Sequence, residues 1–88
     1  MQVSRDYLLR TIAGETILIP SGAAAQKFNG LVTVNAIGAF IWDVLQKPTD
    51  LDGLVARITE EYEVDADTAR RDAEEFLSEL RRIGALED

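Results

Sequence analysis

Hydrophobic positions alternate through the first third of the chain and recur at helical spacing through the rest, and the changeover falls at Asn35. Between Tyr7 and Ala13, an extended chain puts Leu8, Arg10 and Ile12 on one side and Tyr7, Leu9 and Thr11 on the other. Gly14-Glu15 reads as a two-residue Gly-X turn, and Thr16-Ile17-Leu18-Ile19-Pro20 as a second strand, so the two pair as an antiparallel hairpin. Pro20 ends that strand or lies at its edge, because it has no N–H for a ladder. Ser21-Gly22 with Ala23-Ala24-Ala25 reads as a loop. Phe28 to Val34 reads as a third strand, with Phe28, Gly30, Val32 and Val34 on one face. Helices follow it, so it is expected at the edge of the sheet.

From Asn35 onward the period is 3.6. Ile37, Phe40, Ile41, Val44 and Leu45 share a helical face with Trp42 at its margin, and Asn35 stands at the N-cap position. This helix is expected from Ala36 to about Gln46, where Lys47-Pro48 breaks it. Thr49, with Asp52 three residues on, is the capping candidate for a second helix that reaches about Tyr62 and buries Leu51, Leu54, Val55 and Ile58. Asp65 caps a third helix, with Asp67 in its first turn, where the dipole favours an anion. Its apolar stripe is Ala66, Ala69, Ala73, Phe76, Leu77, Leu80 and Ile83. Arg81 and Arg82 occupy the last turn, Gly84 is a suitable C′ residue, and Leu86 is expected to fold back on the core. The order βββααα predicts an α+β, winged helix-turn-helix-like unit, with a three-stranded antiparallel sheet followed by three helices, in one domain over residues 1–88.

Composition then removes most chemistry. The 88 residues are 47% hydrophobic, enough for a small core, and include no cysteine and no histidine. Disulfides and thiolate metal sites are thereby excluded, a reducing cytoplasm fits, and the commonest general base and transition-metal ligand are missing. The six glycines match neither the dinucleotide nor the Walker phosphate loop. A calcium loop starting at Asp65 fails, because its sixth position is Arg70 and its twelfth is Phe76. Glu60, Glu61, Glu63, Asp65 and Asp67 therefore read as a solvated turn with helix caps. An acyl-carrier role would need a serine opening a helix, whereas Ser21 precedes Gly22 after a strand. No enzyme, cofactor or metal is expected. The longest uncharged run, Phe28 to Trp42, reads as strand plus amphipathic helix and not as a membrane span, and the N-terminus lacks a signal-peptide layout. A net charge of -7 disfavours nucleic acid as the main partner.

Two features remain that could carry binding. One is the edge of the third strand, whose unpaired N–H and C=O groups can accept another chain as a further strand. The other is the last helix, which holds four of the nine basic residues, Arg70, Arg71, Arg81 and Arg82. At 100° per residue its stripe centres on Ala69, Ala73, Phe76 and Leu80; Arg70, Glu74 and Arg81 lie together on one flank, with Leu77 where that flank meets the stripe. Arg71, Glu75, Ser78 and Arg82 lie further round. From residues alone three readings stay open: a solvated face in which Glu74 and Glu75 contact Arg70, Arg71 or Ser78, a winged-helix DNA binder using the arginines, and a homodimeric structural module that pairs two edges. Trp42 reads as a core anchor, and Tyr62 as a packed ring with a solvated hydroxyl.

The linked set Ile17-Leu18-Ile19-Pro20, Leu31-Val32-Thr33-Val34-Asn35, Gly38-Ala39-Phe40-Ile41-Trp42-Asp43-Val44-Leu45, Leu54-Val55-Ala56-Arg57-Ile58, Tyr62-Glu63-Val64, Phe76-Leu77-Ser78-Glu79-Leu80 and Gly84-Ala85-Leu86 spans nearly the whole chain. In order and spacing it resembles the PQQ-synthesis protein D (PqqD) family, the recognition elements for precursors of ribosomally made, modified peptides. The resemblance implies a winged-helix fold acting as a peptide clamp. The leader of a precursor is added as a strand beside the third strand, in a groove walled by the third helix, and a separate or fused tailoring enzyme, often a radical-SAM protein, modifies the core. Carried onto this chain, Leu31, Val32 and Thr33 supply main-chain pairing, and Arg70, Glu74, Leu77 and Arg81 line the groove, with an apolar pocket beside Leu77. Leu77→Asp is then expected to abolish leader binding and leave the fold intact. Arg70 and Arg81 imply acidic leader residues near the helix, while the overall negative field favours a basic segment elsewhere. The expected function is that of a non-catalytic, cytoplasmic leader-binding adaptor, with homodimerisation competing for the same edge.

Overall fold

The computed structural model describes residues 1–27 and 32–88, in the order β1 (Gln2–Val3), β2 (Tyr7–Ile12), β3 (Glu15–Pro20), α1 (Ala23–Lys27), β4 (Val32–Thr33), α2 (Ala36–Val44), α3 (Leu51–Glu61), α4 (Ala66–Arg82) and β5 (Leu86–Glu87). The expected three-stranded antiparallel sheet is present with order β2-β3-β4, and the three expected helices follow it. Residues 28–31, the first part of the third predicted strand and with them Leu31, lie outside the described residues.

The hairpin turns one residue earlier than the Gly-X reading places it. Ile12 stands opposite Glu15, so the connection is Ala13-Gly14. Both residues have positive φ, 54° and 82°, the signs that match the right-handed twist of the flanking strands. Glycine takes that conformation freely, whereas Ala13 bears a Cβ there.

Each long helix is capped by a side-chain oxygen. Asn35 accepts from the Gly38 N–H at 2.8 Å and Asp65 from the Thr68 N–H at 2.7 Å, both as expected. The cap of α3 is Asp50, which accepts from the Gly53 N–H at 2.7 Å, and not Thr49, whose hydroxyl donates to the Lys47 carbonyl instead. Leu18, Ile41, Leu45, Leu54, Ile58, Leu77 and Leu80 form the fully buried centre, and Trp42 is buried with them. The sheet presents Tyr7, Leu18 and Val34 to this core, and the Tyr7 hydroxyl donates to the Ile83 carbonyl at the end of α4. Burial first, then the charge of Asp6, pushes the Tyr7 phenol above its usual range.

Three small elements depart from the βββααα expectation. The Ala23 run forms the short helix α1 and not a loop, in keeping with the high helix propensity of alanine. Leu86 does fold back, and it does so as β5, pairing with β1 so that Val3 faces Leu86. The N-terminal segment is further tied down by Val3 N–H to the Leu45 carbonyl and Ser4 N–H to the Ala85 carbonyl, each 2.9 Å. Ala13→Asn, which puts Asn-Gly at the hairpin turn, is predicted to stabilise the protein by roughly 0.5–1 kcal/mol by easing the positive φ. The check is the urea midpoint, which should rise; a fall would show that Ala13 is not strained.

Candidate functional site

The outer edge of the sheet is β4, since only β3 pairs with it among the described residues. Its hydrogen-bonding polarity follows from one contact: Val34 N–H donates to the Thr16 carbonyl at 2.8 Å. Peptide groups alternate in direction along an antiparallel strand, so Val32, like Val34, points its N–H and C=O toward β3, and Thr33 points both outward. Of the three residues expected to supply main-chain pairing, Thr33 therefore has the free edge groups, Val32 spends its own on the sheet and packs its side chain against the core, and Leu31 is outside the described residues.

Beside this edge lies a cleft of about 310 Å³ lined by Asn35, Ile37, Asp72, Glu75 and Phe76. It exists because α2 leaves β4 and passes α4 at very short range. A Cβ on Gly38 would stand 2.7 Å from Val34 Cγ1 and 3.0 Å from Phe76 Cε1, so only glycine lets the strand end, the start of α2 and the middle of α4 meet. Phe76 is half-buried and gives the cleft an apolar surface with Ile37. Asp72, one helical turn before Phe76, is half-buried, and Glu75 is exposed; no ion pair among the described residues engages either carboxylate.

The residues of α4 expected to wall the groove lie elsewhere. Arg70 reaches across to α3, where its guanidinium meets Asp52 at 2.6 Å, and that hydrogen bond raises its pKa above the ordinary arginine value. Arg81 binds Asp88 at 3.1 Å, which likewise raises the arginine and holds the Asp88 carboxyl below its usual range. Arg82 pairs with Glu79. Glu74 is exposed on the same flank as Arg70 and Arg81. Of the contacts expected for Glu74 and Glu75 with Arg70, Arg71 or Ser78, none is a side-chain hydrogen bond among the described residues, but the charge of Glu74 adds to the rise that the Asp52 hydrogen bond produces at Arg70. Leu77 is 2% exposed and belongs to the central core, so it walls no groove, and a carboxylate there would sit unpaired among Leu54, Ile58 and Leu80.

The cleft thus falls on the opposite flank of the α4 stripe from the one the helical phase suggested. Asp72, Glu75 and Phe76, with Asn35 and Ile37, line the cleft and are residues that the helical phase did not single out for the groove. The available signal was Phe76, a lone large aromatic on a stripe whose inner positions are Ala69 and Ala73. Small residues mark where helices approach closely, and the ring marks the margin. Among the described residues no Asp/Glu group could hold a metal ion, and no helix is long and apolar enough to cross a membrane.

Residues 15–86 match the family model described as coenzyme PQQ synthesis protein D (PqqD). Two solved structures share the fold. TbiB1 in complex with the TbiA(beta) leader peptide is 28% identical, with a TM-score of 0.76 over 99% of this chain and 95% of that one. Lasso peptide synthetase B1 complexed with the leader peptide is 18% identical, with a TM-score of 0.73 over 96% and 93% of the two chains. No curated protein gives a significant match.

Two substitutions separate the packing roles around the cleft. Leu77→Asp is predicted to abolish cooperative folding, visible as loss of the thermal transition by circular dichroism. Gly38→Ala is predicted to keep the fold at a cost of about 1–3 kcal/mol in urea unfolding, the range for an overpacked contact. A fully folded Leu77→Asp protein would show that this side chain is not in the core.

Proposed function

Since the chain belongs to the PqqD family, we propose that it is a non-catalytic, cytoplasmic adaptor that binds the leader of a ribosomally made precursor peptide and presents the core to a separate tailoring enzyme. In this role it is a recognition element of the kind the sequence resemblance implied. The observation that carries the reading is the pairing of an open strand edge at Thr33 with a cleft between α2 and α4 that combines the apolar Ile37 and Phe76 with the carboxylates Asp72 and Glu75. The 28% identical neighbour TbiB1, similar over almost its whole length, is a leader-peptide complex, which supports the same occupant here.

Strand addition divides the work of recognition. The leader backbone would take its hydrogen bonds from Thr33, and through them gain affinity that does not depend on sequence. Its side chains alternate, so every second one would turn toward α4 and meet Phe76 and Ile37. Leader residues on the other side would face solvent over the Thr33 side chain. Three of the four arginines of α4, on which a DNA-binding role depended, are engaged: Arg70 with Asp52, Arg81 with Asp88 and Arg82 with Glu79.

The decisive experiment is a ¹⁵N-HSQC titration with the leader peptide encoded beside this chain, combined with amide hydrogen exchange. Binding should slow exchange at Thr33 and shift Ile37, Asp72 and Phe76. Thr33→Pro, which deletes the outward N–H and leaves the ladder to β3 unchanged, should weaken binding at least about tenfold with circular dichroism preserved. Full affinity in Thr33→Pro would exclude strand addition at this edge, and a sedimenting dimer broken by the same substitution would assign the edge to self-association.

A further inference from the structure

The geometry points to a leader with a basic side chain two residues away from an apolar one, the basic group lying against Asp72 and Glu75 and the apolar one against Phe76 and Ile37. The inference rests on the strand-addition reading and adds a charge to it. On the cleft side of α4, Asp72 and Glu75 are carboxylates with no cationic partner among the described residues, and Glu79 beyond them is bridged to Arg82. Of the four arginines of α4, Arg70 is committed to Asp52, Arg81 to Asp88 and Arg82 to Glu79, while Arg71 adds its charge to the hydrogen bond from the Thr68 N–H that holds the Asp65 carboxyl below its usual range. The local sign therefore agrees with the net charge of -7, and near and far fields attract the same partner.

Spacing makes the requirement specific. Side chains on one face of an added strand repeat every two residues, about 6.6–6.8 Å. Asp72 and Phe76 are four residues apart on α4, about 6 Å along its axis. A leader strand that lay along the helix would set neighbouring same-face side chains against the carboxylate and the ring in turn. Asp72 is half-buried, so its charge stands where solvent screening is reduced and a matched cation is favoured over a neutral side chain. An acidic leader residue in that position would meet two like charges.

The test is selection from a displayed library of random 15-residue peptides in which lysine and glutamate are equally frequent. Three baits are used: the full chain, Thr33→Pro, and the double variant Asp72→Lys/Glu75→Lys. Peptides selected by the full chain and lost on Thr33→Pro should carry Lys or Arg two residues from an apolar position. The double variant should select Asp or Glu at that same position. In one such peptide, exchanging Lys for Glu should cost at least about tenfold in affinity for the full chain and recover it on the double variant. Peptides that depend on Thr33 but show no basic preference, or no switch, would overturn the charge assignment and leave strand addition standing. Basic peptides that bind Thr33→Pro equally well, or a selection with no Thr33-dependent peptide at all, would overturn both.

Discussion

The junction of β4, α2 and α4 is governed by a steric limit at Gly38, where a Cβ would come within 2.7 Å of Val34 Cγ1 and 3.0 Å of Phe76 Cε1. Protein interiors pack too densely to absorb an extra methyl group at such a crossing without moving a helix. The missing side chain lets the Asn35 cap close onto the Gly38 N–H and start α2 directly off the strand. It also holds the middle of α4 close beside the strand edge, with the Phe76 ring left half in and half out of the core. Edge, apolar surface and carboxylates are thus brought together by one absent atom.

The last helix serves two neighbours with its two polar flanks. One flank faces α3 and the C-terminus, where Arg70 and Arg81 find Asp52 and Asp88. The other faces the cleft and carries Asp72 and Glu75 without a cationic partner among the described residues. Periodicity exposes the stripe between these flanks clearly, because Ala69, Ala73, Phe76 and Leu80 recur at helical spacing. It is silent about which flank looks at the strand, since both are polar and a helical wheel has no outside reference. Assigning them requires the packing of α2 and α3, and that packing depends on contacts such as Gly38 to Phe76, far apart in the chain. Leu77 shows the same limit: a position at the margin of the stripe in projection is fully enclosed once α3 is in place.

What was legible in the chain was whatever repeats long enough to form a pattern. The hairpin, the three long helices, the caps at Asn35 and Asp65 and the α+β architecture all rest on runs of six or more residues or on a specific side-chain oxygen. The two-residue strands β1 and β5 have no period to detect and exist because the chain ends meet. Asp50 and Thr49 are adjacent and both able to cap, so the choice between them came from where α3 begins. The candidate site was half legible in the same sense: the open edge followed from strand order, while the outward turn of Thr33, as opposed to Val32, needed the bond from Val34 to Thr16.

That alternation has a bearing on distance. Because only every second residue of β4 turns its peptide groups outward, a partner strand can shift along the edge only in steps of two residues, about 6.6–6.8 Å, without losing its hydrogen bonds or inverting its faces. The edge acts as a coarse ruler. A peptide seated in one register holds everything downstream of it at a defined length of chain from the clamp, and the neighbouring register changes that reach by one full step. A recognition surface this small can therefore set which stretch of a bound peptide is within range of a catalyst, with no contact to that stretch itself.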